Sequence, residues 1–478
     1  MNHKFCFMKK AFLVAGCWIF VSCLSAQSVS EKLQKAYQQF ESDSQLKHAT
    51  SSLYVINAKT GEVVFDKNSQ VGLAGASTQK IITAATAFEL LGKEYRYKTE
   101  LGYNGKIDNG VLKGNLCIVG SGDPTLGSWR YSGTIDTTIL NKWSSVIQKQ
   151  RIKKIDGDIV GIDNKFETQT TPDGWIWADI GNYYGAGVSG LNWHENQYDM
   201  KLKAGKKEGD SVEIISTSPK IEYNYLINEL RTGPKGSGDN AYIYLPPYSY
   251  NGFVRGTIPL GENSFTISGS FPISSHYPVG FLGIKIQEAG IKISGDEPKT
   301  SIEYTAYKEK ISYPNKILDT HYSPSLDSII YWFLKKSINL YGEALIKTFA
   351  LEKKGVGATD TGVVIVKEFW KRRGLDPEEL NIKDGSGLSP QNRITTHAQV
   401  EILKYAKKQS WFPYFFDALP EYNNMKMKSG TISDVKGFCG YHTSGDGTQY
   451  IFSFLVNNYS GSSSLAVQKM YTVLDVLK

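Results

Sequence analysis

The amino-acid sequence predicts a mixed α/β fold, with helices and antiparallel hairpins in its two terminal thirds and a long β-rich segment between them. Three observations carry that prediction: helical apolar spacing confined to the ends, short alternating runs broken by glycine from about residue 95 to 314, and 46 glycines and 29 tyrosines among 478 residues. Glycine and tyrosine at that density favour strands and turns over a helical bundle. With 41% hydrophobic and 21% charged residues, the chain is neither a disordered polyampholyte nor a multispanning membrane protein.

Residues 1–26 read as a secretory signal: Lys4, Lys9 and Lys10, an uncharged apolar stretch Ala11 to Leu24, then small residues up to Ala26. The apolar stretch is short of the roughly 20 residues a membrane span needs. Val14-Ala15-Gly16-Cys17 and Phe20-Val21-Ser22-Cys23 resemble lipoprotein signals, so lipid anchoring is the alternative to plain cleavage after Ala26. Without this segment 51 basic residues face 47 acidic ones, a balance of +4 that gives no support to nucleic-acid binding. Two cysteines remain, Cys117 and Cys439, too few for a disulfide framework; they read as buried thiols in separate strands, with a single bond between them in an oxidising compartment as the alternative.

In order along the chain, Ser28 to Leu46 has helical spacing, and Ser51 to Phe65 reads as a hairpin around Ala58-Lys59-Thr60-Gly61. From Ser77 to Leu91 the residues Ile81, Ala84, Ala85, Phe88 and Leu91 recur at helical spacing and stop at Gly92. The β-rich segment 95–314 follows as one or two inserted domains, leaving 27–94 and 315–478 as one interrupted domain. Helical patterns return at Leu326 to Lys336, Tyr341 to Ala350, Thr361 to Arg373 and Thr396 to Lys408. Two strands, Met425 to Tyr441 and Gln449 to Asn457, and a closing helix Leu465 to Leu477 complete the chain.

Several chemistries lack their residues. Gly75-Ala76-Ser77-Thr78-Gln79 fails the nucleophile-elbow pattern at its last position, no H-E-x-x-H or P-loop occurs, and the histidines are isolated. What remains is Ser77-Thr78-Gln79-Lys80, a hydroxyl and an amine three residues apart on one face at the start of an apolar helix. Lysine accepts a proton only when neutral, and a fall from about 10.4 to about 7 corresponds to roughly 4.6 kcal/mol of differential interaction. Lys80 must therefore be enclosed and close to a second cation. Two further patterns follow, Ser337-Ile338-Asn339 between helical segments and Lys428-Ser429-Gly430-Thr431 entering a C-terminal strand. Ser44 to Lys47, Ser433 to Lys436, Ser249 to Asn251 and Lys59 to Gly61 match the same short patterns, so order and setting make the selection.

With S-x-x-K, S-x-N and K-[ST]-G in that order, the chain resembles the penicillin-recognising serine D,D-peptidases, in particular the low-molecular-mass class C penicillin-binding proteins (the D-alanyl-D-alanine carboxypeptidase/endopeptidase family). The separation of 260 positions from Ser77 to Ser337 resembles the insertion of that class, and Ser121 to Leu126 and Asp384 to Ser389 add to the likeness. The resemblance implies a transpeptidase-like domain, an antiparallel sheet flanked by helices, interrupted by inserted β-rich domains. It makes Ser77 the acylated nucleophile, Lys80 its base, and Ser337 a proton relay between Lys80 and Lys428. Asn339 would hold the substrate amide. Lys428, with the hydroxyls of Ser429 and Thr431, would seat the terminal carboxylate, Gly430 completing the motif, and the N–H groups of Ser77 and Thr431 would form the oxyanion hole. The implied substrates are peptidoglycan peptides ending in D-Ala-D-Ala, with β-lactams as inhibitors, at the periplasm or cell envelope, with peripheral or lipid-anchored membrane association as a further expectation. No metal or organic cofactor is implied. A non-catalytic cell-wall binding protein of the same fold, or a β-lactamase or esterase, is the alternative. Asp123 and Ser386 read as turn residues.

Overall fold

The computed structural model describes residue 1 and residues 28–221, 223, 225–295 and 298–478. The expected signal segment 1–26, apart from its first residue, lies outside the described residues.

The two ends of the chain meet in one antiparallel sheet. Its six strands run in the order Val63–Lys67, Thr50–Asn57, Gln449–Asn457, Val435–Thr443, Met425–Ile432, Glu421–Tyr422. Gln449–Asn457 is buried along nearly its whole length instead of on alternate residues, because helices cover both faces of the sheet. On one face Val29–Glu41 and Ser463–Leu474 bring Leu33, Tyr37, Phe40 and Met470 against Phe452 and Phe454. On the other, Lys80–Leu90, Leu326–Lys335, Asn339–Lys354 and Thr396–Ala406 share a larger core that includes Ile81, Phe333, Leu345 and Leu403.

Two elements differ from expectation here. Met425 to Tyr441 is two strands, joined at Ser433-Asp434, where Asp434 turns the chain at φ 56°. The helix expected from Ser77 begins as a 3₁₀ turn, Ala76–Gln79, and becomes α-helical at Lys80.

The segment between the two halves holds a five-stranded sheet (Lys299–Thr300, Ile159–Ile162, Leu116–Val119, Lys98–Tyr103, Lys316–Tyr322), a four-stranded sheet and two three-stranded sheets. Strand Lys316–Tyr322 pairs with Lys98–Tyr103 and so joins this region, beyond the expected boundary at 314. The region also contains helices Asp136–Lys149 and His276–Glu288, which pack Ile139, Trp143, Val279 and Leu282 into the same core as the strands. Cys117 and Cys439 are free and buried. Among the described residues, no helix is long and apolar enough to cross a membrane.

Candidate active site

The 3₁₀ turn fixes the first pair. Ala76 opens it at φ 45°, and the turn leaves Ser77 half-buried while Lys80 drops into the core with 0% of its surface exposed. Lys80 Nζ lies 2.9 Å from Ser77 Oγ, 2.6 Å from Asn339 Oδ1 and 2.7 Å from the Ser386 carbonyl oxygen. The ring of Phe333 is 5.9 Å away. Burial, and then the positive charge of Lys428, hold the Lys80 amine well below its ordinary value, while Asp384 and Glu343 oppose that shift.

Ser337-Ile338-Asn339 forms the turn between helices Leu326–Lys335 and Asn339–Lys354, with Ser337 in the left-handed region at φ 59°. Such a conformation costs a non-glycine residue about 1–3 kcal/mol and is concentrated at functional sites. Asn339 is committed at both ends: Oδ1 accepts from Lys80, and Nδ2 donates to the Tyr184 carbonyl at 2.7 Å, which fixes the orientation of the amide. It therefore engages the Lys80 amine while also lining the cleft, where the resemblance implies a contact to the substrate amide. The Ser337 hydroxyl, expected between Lys80 and Lys428, is bonded to neither. Three polar groups already surround the Lys80 nitrogen, and Lys428 Nζ donates to the Ser429 carbonyl at 2.8 Å.

Lys428 is 1% exposed, and burial pushes its amine down to about 7. Ser429 is half-buried beside it. Thr431 is exposed, its hydroxyl accepting from Lys436 Nζ at 2.6 Å. At Gly430 the strand is pressed onto the 3₁₀ turn: a Cβ there would stand 2.5 Å from the Gly75 oxygen and 2.9 Å from the Ser77 nitrogen. Both are backbone atoms, so Gly430→Ala must push the strand off the turn. Overpacking of this kind costs about 1–3 kcal/mol, and we expect a lower melting temperature together with a fall in activity of at least about tenfold. Unchanged melting and turnover would remove the tight contact from the site's requirements.

A third segment carries residues that the sequence did not reveal as a support. The Asp384 carboxylate accepts from Gly387 N–H (2.8 Å), Ser389 N–H (2.7 Å), Asn392 Nδ2 (2.9 Å) and Trp175 Nε1 (2.9 Å), and so closes the loop 384–389 on itself and ties it to the inserted region. Gly387 supplies the positive φ of 83° that this loop requires. The loop's glycines mark a turn in the sequence, but nothing there says that the Ser386 carbonyl faces Lys80. Asp123, by contrast, accepts from the N–H and hydroxyl of Thr125 in a local turn.

These segments meet at a cleft of about 600 Å³. Ser77, Ser337, Asn339 and Thr431 line it, facing Asp179, Tyr184, Tyr242 and Arg130 from the inserted region. The insertion thus builds one wall of the site, a role that spacing alone does not disclose. Of the competing short patterns, Ser433 lines the cleft as Thr431 does, while Ser44, Ser249 and Thr60 are not among the lining residues.

Comparison with known proteins gives a consistent set of relatives. A model described as the D-Ala-D-Ala carboxypeptidase 3 (S13) family matches residues 31–476. A D-alanyl-D-alanine carboxypeptidase of Actinomadura sp. (strain R39) is 26% identical, covering 90% of this chain and 82% of that protein. D-alanyl-D-alanine carboxypeptidase DacB of Haemophilus influenzae is 24% identical, covering 84% of each. The crystal structure of penicillin binding protein 4 (dacB) from Haemophilus influenzae shares the fold, with a TM-score of 0.78 at 21% identity over 93% of this chain and 99% of that one.

Proposed function

The chain belongs to the D-Ala-D-Ala carboxypeptidase 3 (S13) family, and from that premise we propose an exported peptidase that removes or cleaves at D-Ala in peptidoglycan peptides through an acyl-enzyme on Ser77. The observation that carries this reading is the surroundings of the Lys80 nitrogen. Two of its three neighbours, Asn339 Oδ1 and the Ser386 carbonyl, can only accept hydrogen bonds, so they take the two N–H groups of a neutral amine. Its lone pair is then left facing the Ser77 hydroxyl.

The chemistry follows from that arrangement. Lys80 accepts the Ser77 proton as Ser77 Oγ attacks the carbonyl of the penultimate D-Ala. The tetrahedral oxygen lies between the N–H groups of Ser77 and Thr431, where one lost donor costs about 2.7–4 kcal/mol. Lys428, with the Ser429 and Thr431 hydroxyls, attracts the terminal carboxylate. The Ser337 hydroxyl, which lines the cleft and has no hydrogen-bond partner among the described residues, passes the proton that Lys80 took up towards the leaving amine. Water then releases the acyl group. Either free D-Ala or a second stem peptide would serve as the leaving group, so endopeptidase action is proposed beside carboxypeptidase action. By the same route β-lactams acylate Ser77. Export rests on the character of residues 1–26, with the lipid anchor as its variant. Mass spectrometry of muropeptides before and after incubation tests the reading: loss of one alanine or splitting of dimers is expected, and unaltered muropeptides overturn it.

Lys428 gives the pH dependence a sign. It must be cationic to attract a carboxylate, and burial holds it at about 7, so kcat/KM for peptides should fall as pH rises above about 7. Lys428→Arg, which stays charged, should lower the maximum but move the alkaline limb upwards. A limb unmoved by that substitution assigns the titration elsewhere.

A further inference from the structure

Glu343 lies one turn beyond Asn339 on helix Asn339–Lys354, and its side chain is 0% exposed. Its two oxygens accept from consecutive backbone amides: Oε2 from Gly385 N–H at 3.0 Å and Oε1 from Ser386 N–H at 2.9 Å. The carbonyl that follows these amides is the one that receives Lys80 Nζ at 2.7 Å. Thr83 Oγ1 donates to the Gly385 carbonyl at 2.7 Å, and a Cβ on Gly385 would stand 2.3 Å from the Gly342 oxygen, so the loop lies directly on the helix. One helix face therefore supplies both acceptors of the Lys80 amine: Asn339 by direct contact, and Glu343 by holding the Ser386 peptide.

We propose that Glu343 is a positioning residue for acyl transfer, which aims the Ser386 carbonyl at Lys80 and so turns the amine's lone pair onto Ser77. The inference rests on the Ser77–Lys80 reading above. The task suits a carboxylate, since two parallel N–H donors need two acceptors, and an amide in its place would set an NH₂ against an N–H. The charged groups facing Glu343 are Lys80, Asp384 and, one turn along, Lys347, whose ammonium is engaged by Glu167 at 3.4 Å. Burial and the neighbouring Asp384 raise the Glu343 carboxyl above its ordinary value, while the two amides and Lys80 act in the other direction and favour its ionised form.

The test is the rate of labelling by a fluorescent penicillin, followed across pH, for the full-length wild type, Glu343→Gln and Glu343→Asp. A displacement of about 1 Å in a catalytic group costs about a hundredfold, and a loss of that order is expected for Glu343→Gln. Its acidic midpoint should also move to lower pH, because a carboxylate favouring the Lys80 ammonium has gone. Glu343→Asp keeps the charge but not the reach, so a smaller loss with the wild-type midpoint is expected. Glu343→Gln with wild-type rate and midpoint, or slowed with the midpoint unmoved, overturns the inference. So does failure of both variants to fold, which would make Glu343 a core residue only. A wild type that takes no label removes the acyl-enzyme reading itself, and that outcome is distinct from a labelled wild type matched by its variants.

Discussion

Ser77→Ala should take up no fluorescent penicillin and should lose muropeptide turnover by about 10⁴-fold or more, the scale seen when a catalytic nucleophile is removed from a serine hydrolase. The fold should tolerate the change. Ser77 Oγ is bonded to Lys80 alone among the described residues, and the turn that carries it is held by the Thr78 hydroxyl on the Gly75 carbonyl at 2.6 Å and by Gln79 on Asp384. Near-wild-type melting with a silent site is therefore the expected pair of results. Covalent label on Ser77→Ala at the wild-type level would move the nucleophile to another serine.

The second large effect is expected at Lys80. Lys80→Met keeps much of the side chain's volume beside Phe333 but removes the amine, so the Ser77 proton has no acceptor. Loss of general-base transfer alone is worth about 10²–10⁴-fold, and acylation should fall within or beyond that range. The substitution also relieves the burial of an amine while stranding two acceptors, Asn339 Oδ1 and the Ser386 carbonyl. These effects oppose each other, so circular dichroism is needed beside the rate. A folded Lys80→Met enzyme that acylates at the wild-type rate would assign the base to another group.

How much of this was legible in the sequence depended on whether the signal was local. The helix after Ser77 announced itself through Ile81, Ala84, Ala85 and Phe88, all at 3% exposure or less, and through Gly92, which ends it at φ 81°. Helix Asp136–Lys149 carried an equally readable stripe, Ile139, Trp143 and Ile147, but the glycine-broken runs on either side drew the segment into a β reading. Helix His276–Glu288 was not readable at all: Pro278, Gly280 and Gly283 argue against a helix, and burial of Val279, Leu282 and Ile286 overrides them. Within the site, the three motifs located Ser77, Lys80, Ser337, Asn339 and Lys428, because their spacing follows a recurrent pattern. Asn339's grip on Lys80, the free Ser337 hydroxyl and the Glu343 clamp could not be read in advance. Each depends on which of several nearby polar groups a buried amine or amide meets, and that is decided by packing between segments some 300 residues apart, such as Gln79 on Asp384. The inserted wall, with Trp175 bonded to Asp384 and Tyr184 to Asn339, belongs to the same class of long-range contact.

The most direct measurement is peptide mapping by mass spectrometry of the full-length protein after exposure to benzylpenicillin at neutral pH. A single covalent adduct on the peptide that contains Ser77, absent when Lys80 is replaced by methionine, is the predicted result. An adduct carried instead by Ser337 or Ser386, or a protein whose mass does not change, would contradict nucleophilic attack by Ser77 on a proton taken up by Lys80.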